Sequence, residues 1–125
     1  MKSRKQKAES RKARPASAME RLFALVWRAV AGPDLACEYR FGAVRKWRFD
    51  FAHVATKTAI ELEGGVWSGG AHTRGGHFLS DCEKYNAATA AGWAVFRLGT
   101  GMVRVELAEK IKALVKARMS EIPKL

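Results

Sequence analysis

Carboxylates placed by strand alternation are the first chemistry this sequence offers. In Ile60-Glu61-Leu62-Glu63 successive side chains point to opposite faces of a strand, so Ile60 and Leu62 share one face and both acids share the other. The run Lys46 to Ala52 sets Asp50 between Phe49 and Phe51, and a short connection, residues 54–58, folds it back so that Asp50 meets Glu61 or its neighbour. Three carboxylates then converge in an otherwise apolar sheet. Such crowding of like charge is unfavourable without a compensating cation, and an all-oxygen donor set suits a hard ion such as Mg²⁺, or Mn²⁺ in its place. Glu38, in the run Ala36 to Phe41, either joins the cluster or pairs with Arg48. The competing expectation for Glu61 and Glu63 is a solvated strand face, paired with Lys46, Arg48 or Lys57.

Two histidines follow the acids. His72 and His77 flank Thr73-Arg74-Gly75-Gly76 within a glycine-dense stretch, residues 64–77, too permissive for a regular element and therefore expected as a loop. An imidazole there can act as general base for a water or as acid for a leaving oxygen near neutral pH. Their spacing is not a zinc signature. Asp81, Glu83 and Lys84 open the next helix, whose N-terminus reaches back toward that loop; helix-start electrostatics alone would also place Asp81 there. Arg45, Lys46, Arg74 and Lys84 are the candidate phosphate contacts, which position nucleic acid without reading it.

These side chains need elements to hold them. After Pro15, Ser17 caps a helix marked by Met19, Leu22, Phe23, Val26, Ala29 and Val30, and Gly32-Pro33-Asp34 stops it. Three runs rich in aromatic and β-branched residues, 36–41, 46–52 and 58–64, read as a meander. Phe78 to Ala91 returns to helical spacing with Gly92 at its C-cap, residues 93–98 read as a buried strand, and Val103, Leu107, Ile111, Leu114 and Val115 mark an amphipathic helix beginning near Thr100. The expected fold is α/β of the α+β kind: helix, three-strand meander, helix, strand, helix, with a mixed sheet flanked by helices.

At 125 residues, 48% of them hydrophobic, the chain suits one domain, and no apolar stretch approaches the length of a membrane span. Its 23 Lys and Arg against 12 Asp and Glu give +11, which favours a polyanion as partner. Residues 1–14 carry seven bases against Glu9, a net of +6, leaving +5 for the rest. Residues 1–16 are accordingly expected as a disordered basic arm, adding salt-dependent affinity, and 17–125 as the folded domain. Cys37 and Cys82 are too few for a disulfide framework and are expected reduced and packed in the core. With no apolar stretch and cleavage site after the basic start, a cytoplasmic location is expected.

The blocks Arg45–Ala52, Ile60–Gly75, Asp81–Asn86 and Gly92–Arg97, in this order, resemble the core of the PD-(D/E)XK nuclease superfamily. Within it they are similar to small phage and prophage endonucleases related to the very-short-patch-repair endonuclease and the EDxHD homing nucleases, over residues 36–103. The resemblance implies a restriction-endonuclease-like core and a metal-dependent endonuclease that hydrolyses DNA phosphodiester bonds in repair or recombination. It makes Asp50 the central metal ligand, Glu61 the first acid of the second motif and Glu38 the acid from the first element. Asp81 resembles the distal aspartate, and His72 and His77 correspond in role to that branch's histidines. Glu63 stands where the wider superfamily has lysine, so another group must orient the attacking water; Lys84 is a candidate for the displaced positive charge. The implied partner is DNA, with no membrane, and a homodimer where both strands are cut, Phe23 and Trp27 offering surfaces for it. The alternatives are a catalytically inactive nucleic-acid-binding domain on the same fold and a basic structural protein of a ribonucleoprotein.

Overall fold

The computed structural model describes residues 15–64 and 76–124. Helix α1, Ala18–Ala29, starts where the Ser17 hydroxyl accepts the Glu20 N–H at 3.0 Å, and it turns Phe23 and Trp27 inward. The Trp27 indole donates to the Pro33 carbonyl at 2.7 Å, fixing the chain where it leaves the helix. Then come β1 (Ala36–Arg40), β2 (Arg48–His53), one 3-10 turn (Val54–Thr56), β3 (Thr58–Glu63), α2 (Gly76–Ala90), β4 (Ala94–Gly99) and α3 (Val105–Glu121).

The four strands form one mixed sheet in sequential order, with β1, β2 and β3 antiparallel and β4 parallel to β3. A parallel pair needs a crossover, and the segment carrying α2 supplies it. On one side of the sheet α1 and α3 bury Phe23, Trp27, Ile60, Leu98 and Ile111; on the other, Ala88 of α2 and Trp93 pack with Phe49, Ala52 and Ala59. Ile60 and Leu62 belong to the first cluster, so the β3 acids face α2, as alternation requires.

In β2 the alternation reverses. Phe51 packs against Phe23, with ring centroids 4.9 Å apart, whereas Phe49 stacks on Phe41 at 4.2 Å and meets Trp93 at 5.0 Å on the α2 side. Residues two apart in a regular strand would share a face. The reversal falls at Asp50, which the register sets across from Glu38, between the pairs Cys37–Phe51 and Tyr39–Phe49. Glu38 has a left-handed backbone, φ 48°, uncommon for a residue with a side chain.

The structure corrects four expectations. Helix α3 begins at Val105 rather than near Thr100, because Gly101 takes φ 90° in a turn and Val103 reaches the core before the helix starts. Helix α2 begins at Gly76, so His77 belongs to its first turn and not to a loop. Cys37 is exposed and Cys82 half-buried, both as free thiols, rather than packed in the core. Phe23 and Trp27 are buried within the domain and offer no surface to a second copy. Most of the basic arm lies outside the described residues, among which no helix is long and apolar enough to cross a membrane.

Candidate active site

A cleft of about 450 Å³ opens between the β1–β2 hairpin and α2. The hairpin contributes Glu38, Lys46, Arg48 and Asp50; the helix contributes Ser80, Asp81 and Lys84. Antiparallel pairing of β2 with β3 runs from His53–Thr58 to Phe51–Ile60, and one step further it would set Asp50 against Glu61. There the Asp50 side chain takes over, Oδ2 accepting the Leu62 N–H at 2.7 Å. A backbone donor thus fixes the carboxylate beside Glu61.

Glu61 is buried, and its Oε1 accepts from the Lys84 ammonium at 2.5 Å. Burial, the largest influence, pushes the Glu61 carboxyl up from 4.5 to about 7; the hydrogen bond and charge of Lys84 oppose this, and the charge of Asp50 and a hydrogen bond to it reinforce it. Desolvation therefore outweighs even a close ammonium. Glu63 faces the same side but is held elsewhere: Arg97 reaches its Oε1 through Nη2 at 2.6 Å and Nε at 2.8 Å, and the Tyr85 hydroxyl donates to it at 3.4 Å. Burial, with the charge of Glu61 adding to it, pushes the Tyr85 phenol up.

The expected convergence of three carboxylates is not formed: among the described residues no three His, Cys, Asp or Glu side chains gather as a metal site. Arg97 draws Glu63 toward β4, and Glu38, although it lines the cleft, lies 3.8 Å from Arg48. Asp50 and Glu61 remain as an adjoining pair. Neither β3 acid takes the partners expected of a solvated face; Lys57 instead donates to the Ala91 carbonyl at 2.8 Å. Asp81 is exposed in the cleft wall, while His77 is exposed and forms no part of the lining. His72 and Arg74 lie outside the described residues. Of the candidate phosphate contacts, Lys46 lines the cleft, Arg45 pairs with Glu83 at 3.2 Å, and Lys84 is engaged by Glu61.

No protein-family model, curated protein or solved structure matches the chain.

Two adjoining carboxylates suit Mg²⁺, which takes one or two protein carboxylates and keeps waters and phosphate oxygens in its other positions. A cation between them would also offset the cost of a buried Glu61 beside Asp50. Tyr85 and Arg97 carried no functional expectation from the sequence. The signal was there for Arg97: a lone charge within the apolar run 93–98 requires a partner, and strand alternation points it to the side of the acids.

Proposed function

We propose that this chain is a metal-dependent DNA endonuclease that hydrolyses phosphodiester bonds on a restriction-endonuclease-like core of the PD-(D/E)XK kind. One observation carries the proposal: Asp50 and Lys84 line a cleft and both meet the buried Glu61 behind them, with Lys46 and Arg48 on the hairpin wall. Mg²⁺ or Mn²⁺ held by Asp50 and Glu61 would polarise a phosphate oxygen and lower the pKa of a bound water. Asp50 is oriented for this by the Leu62 N–H. Lys84 has three donor hydrogens and spends one on Glu61, which leaves others for the attacking water or the phosphate. It thereby supplies from α2 the positive charge that Glu63 displaces from β3. Lys46 and Arg48 attract the backbone into the cleft.

The test is incubation with plasmid, hairpin and four-way-junction DNA in Mg²⁺, Mn²⁺ or EDTA. Cleavage is expected only with the ion, lost in Asp50→Ala and Glu61→Gln, and slowed about 100-fold or more in Lys84→Met. No cleavage of any substrate with either ion would overturn the proposal. A second proposal, a DNA-binding domain that does not cut, draws on the pairing of both β3 acids with cations of the same chain. It expects equal DNA binding with and without EDTA and no effect of Asp50→Ala.

A further inference from the structure

Across β3 from the hairpin lie β4, an edge strand of the sheet, and Tyr85 of α2, which meets β4 at Arg97. Arg97 stands in register with Glu61 across the β3–β4 pairing. Glu63 holds it through Nε and Nη2, and its guanidinium lies 4.3 Å from the centre of the Tyr85 ring. Two restraints therefore fix the orientation of a side chain that is still 47% exposed. Its Nη1 has no hydrogen-bond partner among the described residues. A planar donor group, already ordered and with one edge turned outward, binds a phosphate oxygen with little further loss of side-chain freedom.

The position matters as much as the geometry. Lys46 and Arg48 lie on one side of the Asp50–Glu61 pair and Arg97 on the other. From β2 to β4 is two inter-strand spacings, about 10 Å, equal to about three steps of the ~3.4 Å rise per nucleotide along a duplex axis. We infer that Arg97 is a phosphate-binding residue, and that the nucleic-acid backbone crosses the sheet transversely from Lys46 and Arg48, over Asp50 and Glu61, to Arg97. The inference rests on the reading of the chain as a protein that acts on DNA.

The experiment is equilibrium binding of a short duplex to the full chain in EDTA over a series of salt concentrations. Arg97→Gln is expected to weaken binding and to reduce the slope of log K against log salt by about 0.9, one phosphate contact. The double variant Arg97→Gln with Glu63→Gln removes one charge of each sign. If Arg97 touches phosphate, the double variant keeps the reduced slope; a return to the wild-type slope would mean that Arg97 only neutralises Glu63, and it overturns the inference. An unchanged slope in Arg97→Gln does so too. Should Arg97→Gln fail to fold, Arg97→Lys, which preserves the charge, is expected to keep the slope and lose affinity severalfold with the planar fork; unaltered affinity overturns the inference. A protein that shows these slopes but never cuts removes the nuclease proposal alone, whereas one that cuts with unchanged slopes removes Arg97 alone.

Discussion

At Glu61 burial prevails over an ammonium at hydrogen-bond distance, and this sets the sign of a pH effect. The carboxyl titrates at about 7 when folded against an ordinary 4.5, so between those values the folded protein keeps a proton that the unfolded chain releases. Stability contributed by this group is greatest below 4.5 and falls as pH rises to about 7, opposite to a carboxylate whose pKa a salt bridge depresses. Urea unfolding in EDTA should show the loss, about 3 kcal/mol at most, and Glu61→Gln should remove that part of the pH dependence. Identical pH profiles for the two proteins would contradict it. The meeting of Asp50 with Glu61 was legible in the sequence because a short connection sets the register of the two strands; alternation gave the side of Glu61, but not that of Asp50, where β2 reverses. The partners that govern their charge were not. Lys84 lies 23 positions from Glu61 and Arg97 lies 34 from Glu63, so each contact depends on how α2 and β4 cross β3 rather than on any local pattern.

Among the elements, the turn from α2 into β4 shows how a local signal can be sufficient. Gly92 takes φ 91°, its N–H bonds the Thr89 carbonyl at 3.0 Å, and the Trp93 N–H bonds the Ala88 carbonyl at 2.9 Å, the paired bonds of a glycine-ended helix. A Cβ at this position would meet Lys57 Cδ at an ordinary 3.7 Å, so the conformation alone penalises a larger residue. Gly92→Ala should destabilise the domain by about 1–2 kcal/mol, read as a fall of several degrees in Tm; an unchanged Tm would show that the turn relaxes. This turn also anchors α3, since Arg118 Nη1 donates to the carbonyls of Thr56, Lys57 and Gly92. Other boundaries resisted a local reading. Val103 has the spacing of the final helix and the burial of a core residue, yet it lies in the extended segment ahead of Val105. The reversal in β2 falls opposite the left-handed backbone of Glu38 on the facing strand, a feature no pattern within β2 contains.

For the whole molecule, the question is how an excess of +11 coexists with an acidic site. Slightly more than half of the excess lies in residues 1–14, and the remaining +5 belongs to a body that gives each β3 acid a cation of its own. If the chain is the nuclease proposed, capture of DNA and action on it should therefore separate. Substituting glutamine for the seven bases of residues 1–14 should weaken duplex binding and lower the salt slope by up to about 6, the limit if each base neutralises one phosphate. The cutting rate of an already bound complex in Mg²⁺ should stay as it was, because the Asp50–Glu61 pair and Lys84 are untouched. Asp50→Ala should do the reverse, leaving the salt slope intact and removing the cut. Single-turnover rates measured with DNA at saturation separate the two, and a large loss of rate in the arm variant would place part of residues 1–14 at the scissile phosphate. On that proposal the difference follows from range: the charges of residues 1–14 would act through a screened field of about 10 Å at 0.1 M salt, whereas the Asp50–Glu61 pair and Lys84 would act at hydrogen-bond distance, with the charge of Glu61 already tuned by burial.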